Sequence, residues 1–223
     1  MFDGFEKIPL GPMEFIVQYT PSKEQRFTSS INDISLKLLS YLPKPQPDNV
    51  LIPTFSVANM MSLLYLGSGG ETEKELKESL QFAPELLDKT ILAELFSLTN
   101  DQLISNKPRQ FLYNASNTLL MDGRVGLTED FKYDASESFK IPLTVIDFET
   151  ERKDVTLAIN WWISTRTNGY LNGIINEIDP KWDMIALDVA YFKGIWKNKF
   201  SRDNTINRIF YNMGSPNNTV KIP

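Results

Sequence analysis

Neither cysteine nor histidine occurs anywhere in the 223 residues. Without cysteine there is no disulfide, no thiolate nucleophile and no thiolate metal site, and the redox compartment stays open. Without histidine the usual general base is gone, and with it the Ser-His-Asp triad and most transition-metal sites. An enzyme would have to work with Asp, Glu, Lys, Tyr or Ser alone. No carboxylate pair, metal cluster or nucleophile beside a base stands out, so no catalytic residue, no metal and no cofactor is expected. Positive charge is also short: 23 Lys and Arg stand against 28 Asp and Glu, a net charge of −5. That balance argues against a nucleic-acid partner. No apolar run reaches membrane-spanning length, so no membrane partner is expected either. The opening MFDGFEKIPLGPMEF carries charges and prolines where a secretory signal needs an apolar core.

What is present is an ordinary globular mix, 42% hydrophobic and 23% charged. Pro9, Pro12 and Pro21 punctuate the first residues and predict an extended lead-in. A helix is expected from about Thr28 to Ser30 onward, with Ile31, Ile34, Leu38, Leu39 and Leu42 as its stripe. PKPQPDN then reads as a solvated connector. Val50–Pro53 is expected as a short buried strand. Phe55–Leu66 reads as a helix inside the core, stopped by Gly67, Gly69 and Gly70. Glu71–Leu80 and Asp88–Ile104 read as amphipathic helices. Further along, Gln110–Met121 is a predicted strand, Leu127–Phe139 a helix, Leu143–Phe148 a strand and Arg152–Arg166 a helix. Thr205–Met213 and Thr219–Ile222 complete the list as strands. Helices and strands mix without strict alternation, which favours an α+β fold in a single domain over residues 1–223.

The most informative stretch is Met184–Phe192, apolar everywhere except Asp188. Its length and β-branched content make it a strand, and its near-continuous hydrophobicity makes it a central one. Ile185, Leu187, Val189 and Tyr191 share one face; Ala186, Asp188, Ala190 and Phe192 share the other. A carboxylate on that face needs a hydrogen-bond partner or a proton. Other features have plainer readings. Gly67-Ser68-Gly69-Gly70 lacks the Lys-Ser/Thr of a phosphate loop and reads as a helix stop before a helix capped by Thr72. Lys193, Lys197, Lys199, Arg202 and Arg208 read as a wet strand exit rather than a polyanion site. Trp161 and Trp162 read as core anchors. Two glycosylation sequons occur: one at Asn114, inside a predicted strand, and one at Asn217, in a predicted turn, the candidate acceptor if the chain is secreted.

Three blocks together resemble the serpin family of serine protease inhibitors. They are Asn49–Phe82, then Ala115-Ser116-Asn117-Thr118-Leu119-Leu120, then Val145–Phe148 running through Ala158–Trp162, Thr167–Gly169 and Tyr191–Trp196. Their order and spacing match along nearly the whole chain. The resemblance implies helices around a large, metastable mixed sheet, and an exposed reactive loop offered to a serine or cysteine protease. After cleavage that loop inserts into the sheet as a new strand, a one-use switch driven by stored strain. It further implies that Met184–Phe192 borders the opening. Ser56 and Asp188 belong to the polar cluster beneath it, and Trp196 stands where insertion begins. The family usually has Asn at position 188, so an acid there should alter how readily the sheet opens, and its pKa should be raised. The chain stops where the family has much more to come. Residues 1–223 are therefore expected to form a serpin-like domain incomplete at the C-terminus, lacking the reactive loop and most of the second sheet and unable to inhibit alone. The expected location is extracellular, the family default, with the cytoplasm as the alternative; the alternative function is a non-inhibitory binding or structural protein on the same scaffold, with self-association through an exposed strand edge.

Overall fold

A computed structural model describes residues 5–10, 14–42, 50–104 and 111–222. These group into two compact units. The larger holds most of the chain up to Tyr191; the smaller holds the described residues from Phe192 onward together with 111–112.

The chain enters as a hairpin, β1 (Phe5–Leu10) paired antiparallel to β2 (Glu14–Tyr19), rather than as a loose lead-in. The first helix, α1 (Lys23–Tyr41), starts five residues before the sequence expectation. Ser22 and Gln25 form a reciprocal capping box and fix that start. Thr28, expected near the cap, lies inside the helix and donates to the Glu24 carbonyl at 2.9 Å. The PKPQPDN connector lies outside the described residues. Val50–Pro53 is no strand: Leu51 is 72% exposed, and the segment leads straight into α2 (Thr54–Gly67).

α2 is apolar all round because protein surrounds it. With α3 (Gly70–Leu80), α4 (Lys89–Ile104) and α5 (Glu129–Glu137) it builds a core centred on Phe96. Phe27 meets that ring edge-on at 4.9 Å, while Phe139 at 5.4 Å and Phe55 at 5.8 Å lie tilted to it. Gly67 ends α2 where the Phe131 ring of α5 comes so close that a Cβ would lie 2.6 Å from it. α3 is preceded by Gly69 as its cap, not Thr72; Gly70 adopts a positive φ that lets the helix begin earlier.

The sheet of this unit has the order β4-β3-β5: β4 (Leu143–Ile146), β3 (Phe111–Asp122) and β5 (Met184–Gly194). β3 and β4 run parallel, Leu119 opposite Leu143 through Asp122 opposite Ile146. Alternation along β3 sends Leu119 and Met121 into the Phe96 core and Leu120 to the other face. That other face is covered by α6 (Arg152–Arg166), whose Val155, Ile159 and Ile163 pack with Leu120, Val189 and Ile178. Ile185 and Leu187 of β5 join them. The predicted faces of β5 therefore hold, but its predicted central place does not. Among the described residues β5 is an edge strand, and of its side chains only Val189 is buried. Adjacent residues on a helix point about 100° apart, so only one tryptophan of α6 reaches the sheet. Trp162 packs there, while Trp161 is 70% exposed, against the expectation that both anchor the core.

In the smaller unit, β6 (Arg208–Tyr211) pairs antiparallel with β7 (Thr219–Ile222). Their side chains are exposed, as are those of Lys193, Lys197, Lys199 and Arg202.

Candidate functional site

Asp188 sits half-buried on the β5 face that looks toward α2. Two neighbours answer it. Ser56, in the first turn of α2 and 2% exposed, pulls the carboxyl's pKa down. Asn117, on the neighbouring strand β3, supplies the second contact: with its amide nitrogen turned inward it donates to the Ser116 carbonyl at 3.2 Å and to Asp188 Oδ1 at 3.3 Å. Asp188 Oδ2 is buried without a hydrogen-bond partner among the described residues. Burial pushes the carboxyl up to about 6, against the opposing pull of the Ser56 hydroxyl. Ser56 and Asn117 also line a polar cavity of about 290 Å³ with Phe55, Asn59, Asn100 and Lys140.

The Ser56 hydroxyl is not free. It donates to the Pro53 carbonyl at 3.0 Å, holding the turn that begins α2. The hydroxyl of Thr54, at the start of α2, is engaged elsewhere and accepts from Ser35 of α1 at 2.7 Å. Sequence reasoning found the Ser56–Asp188 pair and missed Asn117. The available signal was its parity: like Leu119 and Met121, it lies on the core-facing side of β3, where an amide needs a partner.

A second buried carboxylate was also missed. Asp122, at the end of β3 and 3% exposed, accepts from the Arg124 guanidinium, from the Arg124 backbone N–H at 2.9 Å and from the Phe148 N–H at 3.1 Å. Those donors, the Arg124 side chain foremost, hold it down to about 2. Arg124 in turn donates to the carbonyls of Pro180 and Trp182, both at 3.1 Å. It thereby ties down the segment that leads from α6 back to β5. Asn160 of α6 fastens the same segment through both backbone groups of Ile175, and Arg152 pairs with Glu177 at 3.0 Å.

The other sequence-marked residues are not gathered at this cluster. Trp196 belongs to the smaller unit and is 75% exposed. Asn217 lies exposed in the turn between β6 and β7, a turn closed by Asn212 and Asn218. Among the described residues no group of three or more acidic side chains is placed to hold a metal ion, and no helix is long and apolar enough to cross a membrane.

Comparison with known proteins bears on the whole arrangement. Residues 29–223 match the family described as Serpin (serine protease inhibitor). Iripin-1 of Ixodes ricinus is 28% identical over 208 residues, covering 92% of this chain and 53% of its own length. Antithrombin-III of Ovis aries is 27% identical over 172 residues, 75% of this chain and 37% of that one. Among solved structures, cleaved kallistatin complexed with heparin superposes with a TM-score of 0.75 at 19% identity, over 90% of this chain and 58% of that one. Mouse protein-Z dependent protease inhibitor gives 0.74 at 22%, over 91% and 55%. These structures show the fold: helices packed on a mixed sheet. The chain spans about half the length of the curated relatives it matches.

Proposed function

This chain belongs to the serpin family, and from that premise we propose that it is the sheet-bearing part of a protease inhibitor acting by loop insertion. The partner is a protease of the serine or cysteine class, and the protein works outside the cell. The chain carries no catalytic residue; it forms part of a single inhibitor domain. The observation that carries the reading is the free side of β5. Among the described residues β5 pairs on one side only, with β3, and Asp188 lies on it. An inserted strand would extend the sheet there, and Ser56, Asn117 and Asp188 form the polar cluster that must yield for it. Trp196 stands where insertion begins, and Asn217, exposed in its turn, carries a glycan on the secreted protein.

We further infer that residues 1–223 do not inhibit by themselves, a reading supported by their spanning about half the length of the relatives. The free edge of β5 also favours a second reading, a non-inhibitory scaffold that assembles by pairing edge to edge. Incubation with a panel of serine and cysteine proteases separates the two. A polypeptide of full family length should form an SDS-stable covalent adduct with at least one protease, and the 223-residue chain should form none. Absence of any adduct from the full-length polypeptide, together with concentration-dependent oligomers, would favour the scaffold.

A further inference from the structure

The segment that returns from α6 toward β5 holds the two Asn-Gly pairs of the sequence, Asn168-Gly169 and Asn172-Gly173. Both lie exposed. An asparagine before glycine can react with its own main chain, because a following residue without a Cβ lets its nitrogen reach the side-chain carbon. The two pairs share that chemistry and differ in what holds the attacking nitrogen.

At the first pair the nitrogen is engaged. The Gly169 N–H donates to the Ser164 carbonyl at 2.8 Å, the bond that closes a helix on a left-handed residue, here Asn168 at φ 51°. Attack on Asn168 Cγ would break that bond and open the end of α6. At the second pair the nitrogen is available: the Gly173 N–H has no acceptor among the described residues. The Asn172 amide makes one hydrogen bond, from Nδ2 to the Gly169 carbonyl at 2.6 Å, which engages the departing nitrogen and not the attacked carbon. No atom outside its chain neighbours crowds Gly173 within 4 Å of where a Cβ would lie. The Asp122-Gly123 pair is closed like the first, since the Gly123 N–H donates to the Ile146 carbonyl at 2.9 Å.

We propose that Asn172 is a self-modifying site of the folded protein, while the helix cap holds Asn168 unreactive. The Gly173 nitrogen loses its proton and bonds to Asn172 Cγ; the Cγ–Nδ2 bond breaks, and the nitrogen leaves as ammonia with that proton. Water, the sole co-reactant, then opens the cyclic imide at one of its two carbonyls. Opening at Cγ gives aspartate; opening at the main-chain carbonyl gives isoaspartate. Both products add a negative charge, and isoaspartate also adds a carbon to the main chain. That carbon falls between two anchors: the Leu171 N–H donates to the Thr167 hydroxyl at 3.1 Å, and the Ile175 N–H donates to Asn160 Oδ1 at 2.9 Å. The reaction needs neither a protease nor a reactive loop.

Peptide mapping by mass spectrometry of the 223-residue chain, aged at neutral pH either folded or unfolded in urea, reads both pairs at once. In the folded chain Asn172 should be lost about tenfold faster than Asn168, the order set by one hydrogen bond that must first be broken. In urea the two rates should converge. A carboxyl methyltransferase selective for isoaspartate should label the aged wild type at residue 172 and leave Asn172→Gln unlabelled, since the longer side chain closes its ring far more slowly. Hydrogen exchange at Ile175 should rise in the aged wild type but not in Asn172→Asp, which carries the charge without the extra carbon. Equal rates at the two asparagines in the folded chain, or product in urea with none in the folded chain, overturns the proposal; exchange at Ile175 unchanged by isoaspartate overturns its structural consequence. Failure of adduct formation with proteases leaves these rates as they are.

Discussion

Two carboxylates sit on neighbouring strands of one sheet, Asp122 at the end of β3 and Asp188 within β5, and they behave in opposite ways. Asp122 is the more buried, yet it is held down to about 2. Asp188 is half-buried, yet it is pushed up to about 6. Donors account for the inversion. Asp122 collects the Arg124 side chain and two backbone N–H groups, and an ion so supplied is stable in a dry site. Asp188 has one amide and a hydroxyl already given away, with one oxygen bare. The first region is a fixed staple that holds the return segment 178–183 to the sheet; the second contributes only while the acid keeps its proton.

The contrast is broken most severely at the staple. Asp122→Asn removes the charge that Arg124 and the Phe148 N–H point toward. It should lower the thermal midpoint more than any change at Asp188, and it should raise exchange at 178–183. Equal midpoints for the two variants would mean that donor count does not separate the regions. The next effect is the stability difference at Asp188. A displacement from the ordinary value to about 6 would be worth about 3 kcal/mol in a dry site. Half-burial and solvent screening reduce it to about 1 kcal/mol. The raised group stabilises the fold fully below the ordinary carboxylate pKa of 3.8, and that contribution is lost as pH rises through about 6. Asp188→Asn should therefore gain roughly 2–4 °C at pH 7.5 and nothing at pH 4 in thermal melts. Asp122 has the opposite sign: its contribution is complete above pH 3.8 and fades as pH falls toward 2. The smallest effect is expected for Arg124→Lys, which keeps the charge beside Asp122 but loses the fork that reaches Pro180 and Trp182. Its midpoint should move by no more than about 2 °C, with the loss confined to exchange at 178–183.

The same contrast marks what could be read from the residues alone. The Met184 strand, its two faces and the demand of Asp188 for a partner follow from apolar length, period-two alternation and the cost of a lone buried acid; Ser56 as that partner is what the family resemblance implies. The partners Asn117 and Arg124 do not, because they depend on which strands pair and in what register, which is non-local. Whether β5 lies centrally or at an edge is likewise decided by pairing, and a continuous apolar run is compatible with both. Local chemistry misled in two places. Thr28 looked like a cap but bonds back within the helix, while Ser22 and Gln25, just past Pro21, set the true start. Val50–Pro53 had the apolar composition of a strand, but Pro53 sits at the cap of α2 and the segment runs exposed into that helix.

The most direct measurement is a carbon-13 titration of the side-chain carboxyls of Asp122 and Asp188 in one sample of the folded chain. Asp188 should be half-protonated near pH 6 while Asp122 stays ionised almost to pH 2. An Asp188 signal already fully ionised well below pH 4 would contradict the account, since the edge strand would then carry a satisfied anion.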